Sequence, residues 1–496
     1  MSQPPLRKTS FAGDVLKLVG GTTIAQALAI LVAPLLTRLY APEAFGIAAL
    51  FASVLSIINV ISCMRYQLAI VLPETDEEAA NLLGVSLGFV VMITLLTIPI
   101  VWFGRWLIAG LLNAPALAPY LWLLPPLVAI SGTSAALGYW NTRTKHFGRL
   151  SISKIASSVV AAVSKLGAGL AGHATEAGLI GATALGAATS VAVLGGHAWR
   201  DDRHLLRQCI NWPGMVRVLR RYRKFPMYST WTGLINTLSW QLPTLMLAAF
   251  FSPAVVGFYS LANRLVRTPM QLIGGSVARV FYTRAAEAQH GGSLDAVVRE
   301  VYDRLVAYGL FPMLLITLAG KEFFAIVFGE QWAVAGTYAQ ILGVYMFFVF
   351  ISSPLSQLFS VLERQEVALM TNVLLLLTRY AALWLGGSFG NVLLTLVLFS
   401  LSGVVVYGGF SLWIMRAAGI PLRHWWGPIL RCSLTAMAFL SPAWLVRTLF
   451  NLPPWGVLGL FGLCAIAYYA WLLVHDGQVV ELVKRAYAIL PWVDGV

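Results

Sequence analysis

"AQALAILVAPLLTRLYAPEAFGIAALFASVLSIINVI" (Ala25 to Ile61) consists of two apolar runs on either side of one short, proline-led break. Followed to their limits, the runs reach the roughly 20 residues that a helix needs to cross a bilayer core. The break itself, "YAPEAFG" (Tyr40 to Gly46), leaves room only for a tight reversal, so the two helices are antiparallel neighbours. A second junction, "FSPAVVG" (Phe251 to Gly257), has the same character. Apolar stretches of spanning length recur outward from these two points, about fourteen between residues 15 and 474. Composition agrees: 58% of the 496 residues are hydrophobic and 11% charged, whereas soluble domains carry about a quarter charged residues. The chain therefore reads as an all-α polytopic membrane protein of about fourteen transmembrane helices.

"SPAVVGFYSL" (Ser252 to Leu261) repeats "APEAFGIAAL" (Ala41 to Leu50) as P-x-x-x-G-x-x-x-L, 211 residues later. Six spans lie between the copies, so both point the same way across the membrane. That pattern predicts two parallel six-helix repeats, a known transporter plan. The N-terminal lobe is expected at 1–200 (helices 1–6) and the C-terminal lobe at 226–415 (helices 7–12). Between them lies a basic cytoplasmic linker at 201–225. Helices 13 and 14 occupy 416–475 outside the repeat. The tail at 476–496, with Val479, Val483, Ala486 and Leu490 on one face, suits an interfacial helix on the inner leaflet.

The net charge of +14 does not point to nucleic acid, because the basic residues sit between apolar runs. With the N-terminus inside, 24 of the 34 Lys and Arg residues fall on cytoplasmic segments and four (Arg38, Arg105, Lys321, Arg447) outside, as the positive-inside rule requires. Both termini are thus expected in the cytoplasm. The densest segment, Arg200 to Lys224, is accounted for by topology plus attraction to anionic lipid, about 1 kcal/mol per charge. One cytoplasmic loop, "PETDEEAAN" (Pro73 to Asn81), is acidic. Cys63, Cys209, Cys432 and Cys464 have neither disulfide-framework nor metal spacing. The first apolar run is too long for a signal peptide and reads as a retained helix.

Six cations remain within spans: Arg65, Lys165, Arg264, Arg267, Arg279 and Arg379. Each costs about 2.5–3.5 kcal/mol at a helix centre unless it faces a wet cavity, a partner or a ligand. Arg65 and Arg279 lie toward cytoplasmic ends, where snorkelling is an alternative to a site role. Lys165 and Arg379 are placed near the bilayer middle. Arg264 and Arg267, three apart, share a helix face with Gln271. No carboxylate falls mid-span, so an anionic ligand or water must solvate these cations. Gln26, Asn59, Asn236, Gln241 and Gln271 are polar candidates for the same cavity, each read first as an interhelical hydrogen bonder. No P-loop, H-E-x-x-H or carboxylate pair supports catalysis, no metal site or cofactor is expected, and any coupling ion is unspecified.

"LLTRLYAPEAFGIAALFASVLSIINVISCMRYQLAIVLPETDEEAANLLGVS" (Leu35 to Ser86) resembles the opening of Wzx-type polysaccharide and O-antigen flippases, the polysaccharide branch of the multidrug/oligosaccharidyl-lipid/polysaccharide superfamily. The block from Arg220 to Ala288 is similar to the start of that family's second half, and "SSPLSQLFSVLERQ" (Ser352 to Gln365) to its tenth span and following loop. The resemblance fades after about residue 415. It implies a bacterial inner-membrane flippase that carries undecaprenyl-diphosphate-linked repeat units of O-antigen, capsule or exopolysaccharide by alternating access through a cationic cavity. By location it implies Arg65, Lys165, Arg264, Arg267 and Arg379 as substrate-binding. It also implies a lipid-linked oligosaccharide, membrane lipids, a polysaccharide polymerase and a chain-length regulator as partners. The rival readings are a lipid II-type flippase, a cation-coupled drug antiporter and, in another class, a membrane polymerase or ligase. A drug antiporter would want embedded carboxylates, and an enzyme would want a long outer loop.

Overall fold

Pro42 fixes the first turn of a 20-residue helix whose interior is alanine, leucine, isoleucine and phenylalanine, and most of the chain is built in the same manner. The computed structural model describes residues 11–450 and 453–475, without the side chains at 11–19, 269–273, 276 and 279. The tail at 476–496 lies outside the described residues. Fourteen long helices follow one another: α1 Phe11–Leu39, α2 Pro42–Ile61, α3 Asp76–Leu111, α4 Leu124–Arg143, α5 Phe147–Leu170, α6 Glu176–His197, α7 Thr230–Phe250, α8 Pro253–Gly291, α9 Leu294–Phe328, α10 Ala333–Leu355, α11 Gln365–Ser388, α12 Val392–Ala417, α13 Arg423–Phe450 and α14 Pro454–His475. The described residues contain no strand. Twelve of the helices are long and apolar enough to cross a membrane. α7 and α8, which carry Asn236, Gln241, Arg264 and Arg267, are not among these twelve.

Two boundaries differ from the sequence expectation. Apolarity extends the second span to about residue 70, but α2 stops at Ile61. There Met64 and Arg65 adopt positive φ angles of 47° and 62°, a left-handed conformation that breaks a helix. A 3₁₀ turn, Tyr66–Val71, follows. Conversely, α3 absorbs the acidic loop. Thr75 caps it by accepting from the Glu78 amide, and Asp76, Glu77 and Glu78 occupy its first turn, where carboxylates complement the helix dipole.

The chain folds into two compact units. The first is the chain up to Thr268 together with Leu369–Ser402, and the second is Pro269–Ala368 and the chain from Gly403 on. In the first unit the duplicated motif packs on itself. A Cβ on Gly46 would lie 1.8 Å from the Pro253 carbonyl oxygen, and one on Gly257 would lie 2.0 Å from the Pro42 carbonyl oxygen. Each copy thus places its glycine on the other's proline carbonyl, a reciprocal contact that suits a two-fold relation between the repeats. Only a hydrogen at these positions allows the backbones to meet, as small residues do at membrane helix crossings.

The basic linker is also built into this unit. Its helices Arg203–Cys209 and Trp212–Arg221 lie against the acidic start of α3. Asn81 donates to the Cys209 carbonyl at 2.9 Å and accepts from the Asn211 amide at 3.1 Å. Arg221 pairs with Glu78 at 2.6 Å, and Arg143 of α4 pairs with Asp76 at 3.0 Å. Trp140 donates to Asp202, and Arg149 pairs with Asp201. The acidic loop therefore has local basic partners. Arg217, Arg220, Arg223 and Lys224 stay exposed.

In the second unit α9 and α10 meet along a small-residue seam, where a Cβ on Gly336 would sit 2.5 Å from the Gly320 carbonyl oxygen. α13 and α14 dock on α9 through Phe311, Ala436, Leu440, Phe461 and Tyr468. The Tyr468 hydroxyl donates to the Ala307 carbonyl at 3.0 Å, and Arg447 pairs with Glu322.

Candidate functional site

The described candidate cations all fall within the first unit. Arg379 sits in the middle of α11 and is 1% exposed. Its Nη1 donates to the Ser239 carbonyl at 3.1 Å and to the Ser239 hydroxyl at 2.9 Å. The neighbouring residue on α7, Trp240, forms the floor of the site. The Arg379 guanidinium carbon lies 4.7 Å from its ring centroid and that of Arg267, from α8, 3.9 Å. A guanidinium over an indole gains about 0.5–2 kcal/mol, and its N–H groups can still donate in the plane, as those of Arg379 do to Ser239. Arg267 makes no ion pair with any described residue, so its donors are available to a ligand.

Arg264, one turn before Arg267, is exposed. Lys165 on α5 is half-buried and close enough to Arg264 for the two charges to interact. Its own carbonyl accepts from the Tyr40 hydroxyl at 2.7 Å, which ties α5 to the α1–α2 junction. The sequence expectation puts Lys165 near the bilayer middle. In α5, Phe147–Leu170, it stands five residues before the helix end. Among the described residues no carboxylate forms an ion pair with Lys165, Arg264 or Arg267. Among the described residues, no three or more His, Cys, Asp or Glu side chains converge as metal ligands.

Arg65 stands apart from this group, in the left-handed turn after α2 and not within a helix. Its guanidinium lies against α7 at Gly233, where a Cβ would come within 2.0 Å of Nη2. Gly233→Ala should therefore displace the Arg65 head. Lost function with unchanged membrane abundance is expected, and a Gly233→Ala, Arg65→Gln double variant should be no worse than either single variant. Additive losses would show that Gly233 acts elsewhere.

The neutral candidates divide. Gln241 is fully engaged between α7 and α2: it accepts from the Ser53 hydroxyl at 2.9 Å and donates to that of Ser56 at 3.2 Å. Gln26 Oε1 and Asn59 Oδ1 are buried and accept no hydrogen bond from the described residues. Asn236 is exposed. The side chains of Gln271 and Arg279 lie outside the described residues. Trp240 escaped the sequence reading because an aromatic residue in an apolar helix carries the same signature whether it packs in a core or supports two arginines. The available cue was its place between Ser239 and Gln241, both polar and both buried or partly so.

A family model described as "Polysaccharide biosynthesis protein" matches residues 35–336. The chain is 25% identical over 173 residues to the lipopolysaccharide biosynthesis protein WzxC of Escherichia coli K12, covering 34% of this chain and 35% of WzxC. It is 22% identical over 158 residues to an uncharacterized membrane protein in the cps region of Klebsiella pneumoniae, covering 32% and 33%. These matches thus span about a third of either relative. Among solved structures, the fold is similar to lipid II flippase MurJ in an inward closed conformation, with a TM-score of 0.74, 13% identity and coverage of 93% and 99%. It is also similar to an inward-facing multidrug resistance MATE family transporter of the MOP superfamily, with a TM-score of 0.65, 15% identity and coverage of 82% and 98%.

Proposed function

We propose, from the premise that this chain belongs to the polysaccharide biosynthesis protein family, that it is a flippase for polyprenyl-diphosphate-linked oligosaccharide repeat units. The observation that carries this reading is the cation group on Trp240: Arg267 and Arg379 on one indole, with Lys165 and Arg264 nearby. A diphosphate is the part of such a cargo that needs charge. Guanidinium groups match phosphate oxygens through paired N–H donors, and desolvation at membrane depth strengthens the contact. The sugars would meet the neutral polar groups of Gln26 and Asn59, and the prenyl chain would stay in lipid. Arg65 and Arg279 would guide the headgroup in from the cytoplasm. Alternating access between inner and outer leaflets would complete the transfer. We place the chain in the inner membrane with both termini cytoplasmic, beside a polymerase and a chain-length regulator. The two lobes at 1–200 and 226–415 would be the moving halves.

Deletion of the gene followed by analysis of lipid-linked oligosaccharides tests this reading. Complete repeat units should accumulate on the cytoplasmic face. Normal lipid intermediates with raised drug sensitivity would favour a drug antiporter, and accumulated cell-wall precursor would favour a lipid II-type flippase.

A further inference from the structure

A cavity of about 520 Å³ opens between α9, α13 and α14, lined by residues that the transport reading does not use. Arg304 and Arg431 supply its charge, Thr435 a hydroxyl, and Tyr468, Trp471 and His475 an aromatic wall. The wall is ordered: the Trp471 and His475 rings stack at 4.6 Å. The carboxylates nearby are engaged. Asp303 meets His424 at 2.9 Å and Glu300 meets Arg304 at 2.9 Å. Arg431 forms no ion pair with any described residue, which leaves its guanidinium to meet an anionic group in the cavity.

We infer that this cavity binds the phosphate-bearing headgroup of an anionic phospholipid of the cytoplasmic leaflet. The charge rule puts the start of α9 and α13 and the end of α14 on the cytoplasmic side. Tyrosine and tryptophan belong at that depth, where one end of the ring is apolar and the other wet. Three large apolar side chains of the same helices, Leu434, Leu473 and Val474, are 62%, 47% and 71% exposed. They offer a surface for acyl chains that a free phosphate would not need. The volume suits a glycerophosphate, and Arg304 and Arg431 provide donors for its oxygens. The lining shares no residue with the cation group on Trp240.

The test is native mass spectrometry of the full-length protein in detergent, titrated with phosphatidylglycerol or phosphatidylethanolamine. Wild type should retain phosphatidylglycerol about tenfold more strongly, because both lipids carry the phosphate but only phosphatidylethanolamine carries an ammonium, which the Arg431 guanidinium repels. Arg431→Gln should reduce that preference, and Arg304→Gln with Arg431→Gln should abolish it. Arg217→Gln with Arg220→Gln, on the linker, should leave it unchanged. Should the double variant fail to fold, Arg431→Gln alone decides, since it breaks no ion pair. An unchanged preference in Arg431→Gln overturns the proposal. Displacement by millimolar inorganic phosphate would make this a free-phosphate site. Displacement by equimolar undecaprenyl diphosphate would make it a cargo port. Either result overturns the assignment to phospholipid.

Discussion

Gly46→Ala and Gly257→Ala will each destabilise the protein and abolish export, although alanine is the better helix former by about 0.8–1.0 kcal/mol. The opposing sign comes from the reciprocal contact between the two copies of the duplicated motif. A methyl at Gly46 would sit 1.8 Å from the Pro253 carbonyl oxygen, and one at Gly257 would sit 2.0 Å from that of Pro42. The obstacle in both cases is backbone, which cannot rotate aside as a side chain would. The helices must then separate by an ångström or more, and overpacking of this kind costs about 1–3 kcal/mol. Because both methyls would press on the same crossing, the double variant should lose less than the sum of the single losses. Gly88→Ala in α3 and Gly138→Ala in α4, with no atom within 4 Å of the added carbon, should be neutral or stabilising. Thermal unfolding of detergent-solubilised protein reads all five variants. Gly46→Ala unfolding at or above the wild-type temperature would show that the two motifs do not touch.

The pair of proline-led junctions was legible because proline, glycine and leucine at fixed spacing leave a mark in the chain. That they pack on each other was not legible, since the copies are 211 residues apart and nothing in either names its neighbour. The helices were legible from apolarity, with errors where polarity misleads. The acidic start of α3 reads as a loop, yet its carboxylates stabilise a helix N-terminus and meet Arg143 and Arg221 across the fold. The turn at Arg65 is invisible for a different reason. Met64 and Arg65 adopt a conformation that glycine usually marks, and neither is glycine. Embedded cations were legible through their cost in lipid. Trp240, which organises two of them, carries no such cost and so left no signal.

Removing the two arginines on Trp240 should give different phenotypes, because their surroundings differ. Arg267 is partly exposed and ion-paired with no described residue, so Arg267→Gln should leave membrane abundance and unfolding temperature near wild type. It should weaken cargo binding by the value of a charge-assisted hydrogen bond, about 1.5–3 kcal/mol, or roughly 10- to 100-fold, with Arg267→Lys recovering only part because lysine lacks the planar fork. Arg379 is 1% exposed and holds both the carbonyl and the hydroxyl of Ser239. Arg379→Gln leaves buried acceptors short of a donor, at about 1–3 kcal/mol, so abundance and unfolding temperature should fall along with export. Trp240→Leu removes the platform under both groups and should reproduce the Arg267→Gln export defect even where folding survives. The measurements are polymer export normalised to protein abundance, together with unfolding temperature. If Arg267→Gln exports normally at normal abundance, the guanidinium on Trp240 is a packing element, and the cargo's charge must be met by Lys165 and Arg264.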